Sequence, residues 1–477
     1  MKKRSVRYLL AVCIVAAVFF ADALPATAQK RLPDNRAQVE LSYAPLVRKA
    51  APAVVNIYTR KVVRTRQVSP LFNDPFFRRF FGDDFGFGLT PQRKRIQNSL
   101  GSGVIVGADG VVVTNHHVIE GADEITVVLS DRREFDADIV GADERTDLAV
   151  LRINTNGKPL PHLELMDSDL LEVGDIVLAI GNPFGVGQTV TSGIVSALAR
   201  TQVGIADLNF FIQTDAAINP GNSGGALVGM NGKLAGVNTA IFSKSGGSQG
   251  IGFAVPANMV RTVIDGLLSG GGNLVRPWFG ASGQEVNADI AASLGLDRPG
   301  GVLVNKVYAK GPAMKSGLKP GDVILSINDI PVSDPNALKY RIATLSIGKK
   351  AYLSVLRKGR TRRLALPLSA PPEDPPREIT ELSGKHPLSG ATVVNMSPAL
   401  SVELGLKGFI PGVFIMEVRR GSPASRFRFR PGDKVLEING REIGTVKDLK
   451  RRLSRKRDKW DVTINRGGEV LSLNVGR

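Results

Sequence analysis

The sequence predicts a mainly β protein: a strand-rich sandwich or barrel domain, followed by two copies of a smaller module. Three observations predict it. Between residues 100 and 256, short apolar runs rich in β-branched residues alternate with Gly-rich turns, and helix-length periodicity is scarce. Asn231-Gly232 between two such runs is a hairpin signal. Further on, Pro320-Gly321-Asp322-Val323-Ile324-Leu325-Ser326-Ile327-Asn328 returns 111 residues later as Pro431-Gly432-Asp433-Lys434-Val435-Leu436-Glu437-Ile438-Asn439, and Gly311-Pro312-Ala313 parallels Gly421-Ser422-Pro423-Ala424.

The chain of 477 residues is too long for one core and suggests roughly three domains. Its net charge of +18 leaves two readings open, a soluble basic surface or attraction to anionic lipid, nucleic acid or acidic protein. No nucleic-acid-binding module is evident, so no specific nucleic-acid partner is expected. The only cysteine is Cys13, which excludes disulfides, a catalytic cysteine and thiolate metal sites from the rest of the chain. Four histidines (His116, His117, His162 and His386) argue against a multi-histidine metal site, and no metal or cofactor is expected.

Taken in order, residues 1–28 read as an export signal. Lys2, Lys3, Arg4 and Arg7 precede an uncharged run from Tyr8 to Ala21 that is short for a membrane span, and Ala26-Thr27-Ala28 offers a cleavage site. An uncleaved anchor is the alternative. Residues 29–45 read as a polar arm and residues 54–58 as a first strand. The stretch up to residue 99 is long and irregular, with six of the 20 phenylalanines between Phe72 and Phe85. Such a cluster packs either on its own domain or on another subunit.

From residue 100 the expected strands are 103–106, 111–114, 125–129, 149–153, 176–180, 193–198, 211–214, 227–228 and 234–241, closed by a helix over 257–268. This domain runs over about 40–270, with 100–270 as its regular part. Ser269-Gly270-Gly271-Gly272-Asn273 is a flexible linker. The repeated modules occupy 276–369 and 387–477, joined by a stiff Pro-rich spacer at 370–386 that contains Pro371-Pro372 and Pro375-Pro376.

One stretch carries chemistry. In Asn219-Pro220-Gly221-Asn222-Ser223-Gly224-Gly225, glycines leave a serine hydroxyl open and let backbone N–H groups converge on one point. A serine nucleophile needs a base and a carboxylate that orients it. His116 and His117 end a strand in Val113-Thr114-Asn115-His116-His117-Val118. Asp147, in Arg145-Thr146-Asp147-Leu148-Ala149-Val150-Leu151, stands before an apolar strand. The order His, Asp, Ser is that of chymotrypsin-type proteases.

Thr-Asn-x-His-Val, Thr-Asp-Leu-Ala-Val-Leu and Gly-Asn-Ser-Gly-Gly-Ala-Leu, with the double repeat, resemble the HtrA/Do (DegP/DegQ-like) family of exported serine proteases. Gly181-Asn182-Pro183-Phe184-Gly185, Thr191-Ser192-Gly193-Ile194-Val195-Ser196 and Gly250-Ile251-Gly252-Phe253-Ala254-Val255-Pro256 match too, and the repeats resemble PDZ domains. The fold this implies is a chymotrypsin-like double β-barrel followed by two PDZ domains. The resemblance makes His117 the base, with His116 at a variable position. It makes Asp147 the orienting acid, Ser223 the nucleophile, and the N–H groups of Gly221 and Ser223 the oxyanion donors.

In chymotrypsin-like geometry Ala217 lies at the base of the P1 pocket, with Ile218 beside it and Ile251, Gly252 and Phe253 facing. An uncharged pocket suits small and medium aliphatic residues. Asn222 stands where an aspartate would pair with a freed N-terminus, so that route of activation is not expected. The first PDZ copy offers Phe279, Gly280 and Ala281 as a loop for a peptide carboxylate. The second has Ser389 in place of the aromatic and an Arg-rich stretch at Arg426-Phe427-Arg428-Phe429-Arg430, departures that weigh against peptide binding. Residues 377–477 hold 20 Lys and Arg against 11 Asp and Glu. The cluster Lys450-Arg451-Arg452 with Arg455-Lys456-Arg457 is either a solvated face or a contact for an anionic membrane surface.

The resemblance implies an ATP-independent endopeptidase that degrades unfolded periplasmic proteins and binds their C-terminal peptides. It also implies chaperone-like holding and homotrimers or larger cages. A holding chaperone or PDZ scaffold with little proteolysis is the alternative.

Overall fold

The computed structural model describes residues 42–63, 95–182, 187–200, 210–219, 221–241, 248–269, 274–406, 408–455 and 457–476. The signal segment, most of the arm, the phenylalanine cluster, Pro183-Phe184-Gly185, Pro220 and the Gly270-Gly271-Gly272-Asn273 linker lie outside them. Of the unit formed by residues 1–45 only Ser42, Tyr43, Ala44 and Pro45 are described; all that follows concerns the unit from Leu46 to Arg477.

The first six strands are β1 (Val54–Val63), β2 (Arg95–Ile105), β3 (Val111–Thr114), β4 (Glu124–Val128), β5 (Glu134–Asp143) and β6 (Leu148–Ile153). They close a barrel in the order β1-β2-β3-β6-β5-β4. The next six are β7 (Ile176–Gly181), β8 (Thr189–Arg200), β9 (Phe211–Thr214), β10 (Ala226–Gly229), β11 (Leu234–Ile241) and β12 (Gly252–Pro256), closed as β10-β11-β12-β9-β8-β7. Closure leaves no free sheet edge in either barrel. Each interior is filled by inward side chains of its strands: Val55, Ile57, Val112 and Leu151 in the first, Val177, Val195, Ile212 and Leu227 in the second. Each large aliphatic side chain buried this way contributes about 1.5–3 kcal/mol.

β1 runs on to Val63 and β2 begins at Arg95, because they pair along their whole length through residues read as irregular, and two further strands escaped the sequence expectation. β5 reads Glu-Phe-Asp-Ala-Asp-Ile-Val-Gly-Ala-Asp, and its acidic and glycine positions hide the alternation that its pairing with β4 and β6 reveals. β12 is fully buried and so carries no alternation. The helix Ala257–Ser269 follows as expected, with Met259, Val260, Val263, Ile264 and Leu267 buried.

The first repeat is a sheet of β13 (Ala281–Glu285), β14 (Val302–Val307), β15 (Val323–Ile327), β17 (Lys350–Arg357) and β18 (Arg360–Pro367), with β16 (Ile330–Pro331) beside β15. The second has β20 (Ala391–Met396), β21 (Gly412–Val418), β22 (Lys434–Ile438), β24 (Lys459–Arg466) and β25 (Glu469–Gly476), with β23 (Arg441–Glu442) beside β22. It adds one strand of its own, β19 (Thr380–Glu381), on β20.

The duplication extends to single bonds. Buried Asp322 pairs with Arg357 and buried Asp433 with Arg466, at 2.6 and 2.7 Å. Arg426-Phe427-Arg428-Phe429-Arg430 is therefore no departure in backbone. Phe429 N–H donates to the Ala424 carbonyl as Leu318 N–H does to that of Ala313, and both side chains are buried. Arg428 takes the left-handed conformation of Gly317.

Candidate active site

His117 lies on the one-turn helix His116–Ile119 that follows β3. Asp147 sits immediately before β6, the partner of β3, so the barrel's own register delivers the carboxylate to the imidazole. Nδ1 of His117 lies 2.9 Å from Oδ1 and 2.7 Å from Oδ2 of Asp147, and the His117 backbone N–H donates to Oδ1 at 3.0 Å. The backbone of Asp147 is held as well: its carbonyl accepts from the Asn115 side-chain Nδ2 at 2.9 Å and from the His116 N–H at 3.1 Å. Asp147 has φ of 55°, a left-handed conformation that Asp tolerates better than most residues. Among the described residues, the side chain of His116 takes no part in this network.

Burial alone would lower the imidazole pKa and raise that of the carboxyl. The mutual attraction and hydrogen bonding of the pair overcome both effects. His117 is held above its ordinary value, and Asp147, which also accepts from the Thr239 hydroxyl at 2.6 Å, is held below its own.

Ser223 is on the second barrel, in the turn before β10. Its carbonyl accepts from the Ser102 N–H at 2.9 Å, and the Ser102 hydroxyl donates to the Gly221 carbonyl at 2.5 Å. Ser102 belongs to β2 of the first barrel, and its own carbonyl accepts from Thr114, three residues before His117. A second tie runs through β11. The Gly224 N–H donates to the Asn238 carbonyl at 2.8 Å, while the next residue, Thr239, holds Asp147. Two adjacent residues of one strand thus fix the serine turn and the carboxylate together. Gly224 is required here: with φ of 82°, an added Cβ would lie 2.1 Å from the Ser102 carbonyl oxygen. The N–H groups of Gly221 and Ser223 have no acceptor among the described residues.

The residues expected around a P1 pocket divide. Ile218 is 1% exposed and belongs to the second-barrel core, with Gly252 packed so closely that a Cβ there would lie 2.7 Å from its Cδ1. Phe253 is buried against Phe211. Ala217 and Ile251 are partly exposed, and the Ala217 carbonyl accepts from the Thr191 hydroxyl at 2.8 Å. In the first repeat, Phe279 and Gly280 form the turn into β13, which begins at Ala281; Gly280 has φ of 74°.

Sequence reasoning missed Thr239, which nothing in its neighbourhood marks. It also missed Ser102, although Gly101-Ser102-Gly103 repeats the pattern of a serine between glycines that singled out Ser223.

Comparison with known proteins agrees with this architecture. The trypsin-like peptidase domain family matches residues 101–237, and the PDZ domain family matches 279–368 and 387–476. The chain is 39% identical over 437 residues to the periplasmic pH-dependent serine endoprotease DegQ of Escherichia coli K12, covering 91% of this chain and 90% of that one. It is 38% identical over 471 residues to the periplasmic serine endoprotease DegP of the same organism, covering 94% and 95%. Among solved structures, the HtrA-type protease AlgW with a decapeptide is 48% identical with a TM-score of 0.51, covering 70% of this chain and 99% of that one. The chain belongs to the HtrA/Do family of DegP- and DegQ-type periplasmic serine endoproteases, and it is a serine endopeptidase with two PDZ domains.

Proposed function

We propose that Ser223, His117 and Asp147 are the catalytic residues of this endopeptidase. His117 Nε2 takes the Ser223 hydroxyl proton as Oγ attacks the scissile carbonyl carbon, and later returns it to the departing amine. Asp147 holds Nδ1 protonated, so that Nε2 is the basic nitrogen, and stabilises the imidazolium that forms. The N–H groups of Gly221 and Ser223 receive the oxyanion; donors held in place in this way contribute about 2.7–4 kcal/mol each. The observation that carries the reading is the twofold contact of Asp147 with His117 Nδ1, braced by Thr239, whose strand also fixes the serine turn.

The substrates are unfolded proteins of the periplasm, cut after small or medium aliphatic residues in a pocket based on Ala217. The Phe279, Gly280 and Ala281 loop takes the carboxylate of their apolar C-termini. Residues 1–28 are a cleaved export signal, and the mature chain forms homotrimers or larger cages that also hold unfolded chains. Casein digestion by the purified mature protein tests the reading. Turnover is expected to vanish in Ser223→Ala with folding retained. Protection of an aggregating client without any cleavage would favour a holding chaperone instead.

A further inference from the structure

The two PDZ modules differ at one edge. In a PDZ domain a peptide adds antiparallel to the edge strand. Its last side chain enters an apolar pocket, and backbone N–H groups of the preceding loop take its carboxylate. In the first module that edge, β13, pairs with β14 alone, and the Gly280 N–H has no acceptor among the described residues. The corresponding loop of the second module is identified by its bonds. The Gly280 carbonyl accepts from Tyr308 N–H and the Gly390 carbonyl from Arg419 N–H, both at 2.9 Å. The Phe279 and Ser389 carbonyls accept from Ala313 and Ala424, both at 3.1 Å.

Here the edge is taken. Residues 377–382 of the inter-module segment run antiparallel to β20, with Thr380 opposite Val393 and Glu381 opposite Thr392. Asn395 N–H donates to the Arg377 carbonyl at 2.7 Å and Leu382 N–H to the Ala391 carbonyl at 2.8 Å. Gly390 N–H donates to the Leu382 carbonyl at 2.7 Å. The Leu382 side chain is 4% exposed, in one cluster with Leu388, Phe429, Val446 and Leu449, the last two on the helix Val446–Leu453. Glu381 pairs with Arg419 at 2.9 Å, and Glu378 lies 3.9 Å from Lys450 on that helix.

We propose that residues 380–382 are the resident ligand of the second PDZ groove. Leu382 fills the pocket of a C-terminal apolar residue, and its carbonyl takes the loop N–H that would receive the carboxylate. The second groove is therefore built to take an apolar chain end and is closed to one while this segment is in place. A ligand tethered by so short a turn acts at an effective concentration on the order of millimolar. Free chain ends at micromolar concentration then lose to it by about a thousandfold at equal intrinsic affinity. The proposal rests on the PDZ fold of residues 387–476 and is independent of how Ser223 works.

The test uses the full mature chain carrying Ser223→Ala and an octapeptide that ends in valine with a free carboxylate and bears one photoreactive group. The parent is expected to bind one peptide per chain, with cross-links confined to the first module. Leu382→Asp places a charge in the apolar pocket and releases the segment. Two peptides per chain are then expected, with new cross-links on β20 or the helix Val446–Leu453 and affinity at the second groove improved at least about tenfold. Amide exchange over β24 and β25 reports whether the module is folded, and Leu382→Ser serves if Leu382→Asp does not fold. Two peptides bound to the parent, or a folded variant whose segment has become fast-exchanging yet which binds no more peptide than the parent, overturns the proposal. Binding of none by the parent but one by the variant would uphold it, while removing peptide capture from the first module.

Discussion

Arg276 grips Asp143 with both terminal nitrogens, Nη1 to Oδ1 at 3.1 Å and Nη2 to Oδ2 at 2.6 Å, with both side chains only 8% exposed. Arg276 stands five residues before β13, at the start of the first PDZ module, and Asp143 ends β5, four residues before Asp147. The Thr146 hydroxyl donates to the same carboxylate. The turn that presents Asp147 is therefore fastened from the start of the first PDZ module. Burial would raise the Asp143 pKa, but Arg276 and Thr146 outweigh it and hold the carboxyl below its ordinary 3.8. Arg276→Ala leaves that carboxylate buried and unpaired, so we expect a loss of about 3–5 kcal/mol in urea unfolding. The folded-state pKa is depressed, so the parent's advantage is full above pH 3.8 and fades as pH falls through the lower folded value. A melting-temperature difference that stays constant down to the lowest pH would refute this account.

With His117 as the proposed base, its pairing with Asp147 should set the acid limb of the activity. The base must be neutral to accept the serine proton, and its folded pKa lies above the ordinary 6.5. Activity should therefore rise with pH through a midpoint above 6.5, measured as kcat/KM on a peptide substrate. Asp147→Asn removes the charge that raises it, so the midpoint should move to lower pH while kcat falls on the order of ten-thousandfold. His116→Ala should leave both midpoint and rate nearly unchanged. An unmoved midpoint in Asp147→Asn would remove His117 from the role of base.

Thr239 acts on substrate only through Asp147. Its hydroxyl donates to Oδ2 at 2.6 Å, and a hydrogen bond to a charged group is worth about 1.5–3 kcal/mol. Thr239→Val, which keeps the shape and removes the donor, should lower kcat about tenfold to a hundredfold and leave KM nearly unchanged. Thr239→Ser should restore the rate. Equal rates for the Val and Ser variants would mean that the donor does not set the rate.

The candidate site was legible because its parts are local: Ser223 among glycines, His117 at a strand end and Asp147 before an apolar strand each carry their own signature. What holds them together was not legible. Thr239 is an ordinary strand threonine, and Arg276 meets Asp143 across 133 residues of sequence. The duplication was visible in Pro320-Gly321-Asp322 and Pro431-Gly432-Asp433, yet the Arg-rich stretch masked that the two backbones agree. Arg428 can take the conformation of Gly317, and Phe429 fills the place of Leu318. The occupied edge of the second module escaped notice because β19 is two residues long and carries no periodicity.

In the proposed P1 pocket, specificity would follow from which walls are free to change. Ile218 and Phe253 are core side chains, so enlarging or shrinking them disturbs the second barrel as much as the pocket. Ala217 differs. It is partly exposed, and its segment is pinned by the Thr191 hydroxyl on its carbonyl and by the Asp215 carboxylate, which accepts from Ile194 N–H at 2.7 Å. None of the proposed lining residues Ala217, Ile218, Ile251 and Phe253 carries a charge to pair with a Lys or Asp side chain at P1, which would be desolvated without compensation. Chromogenic peptides with Val at P1 should exceed those with Lys or Asp by about a hundredfold or more in kcat/KM, whereas Val and Ala should differ by only about tenfold. Ala217→Val narrows the base and should shift preference from Val toward Ala without changing unfolding in urea. A variant with the parent's preference, still folded and active, would place the base of the pocket elsewhere.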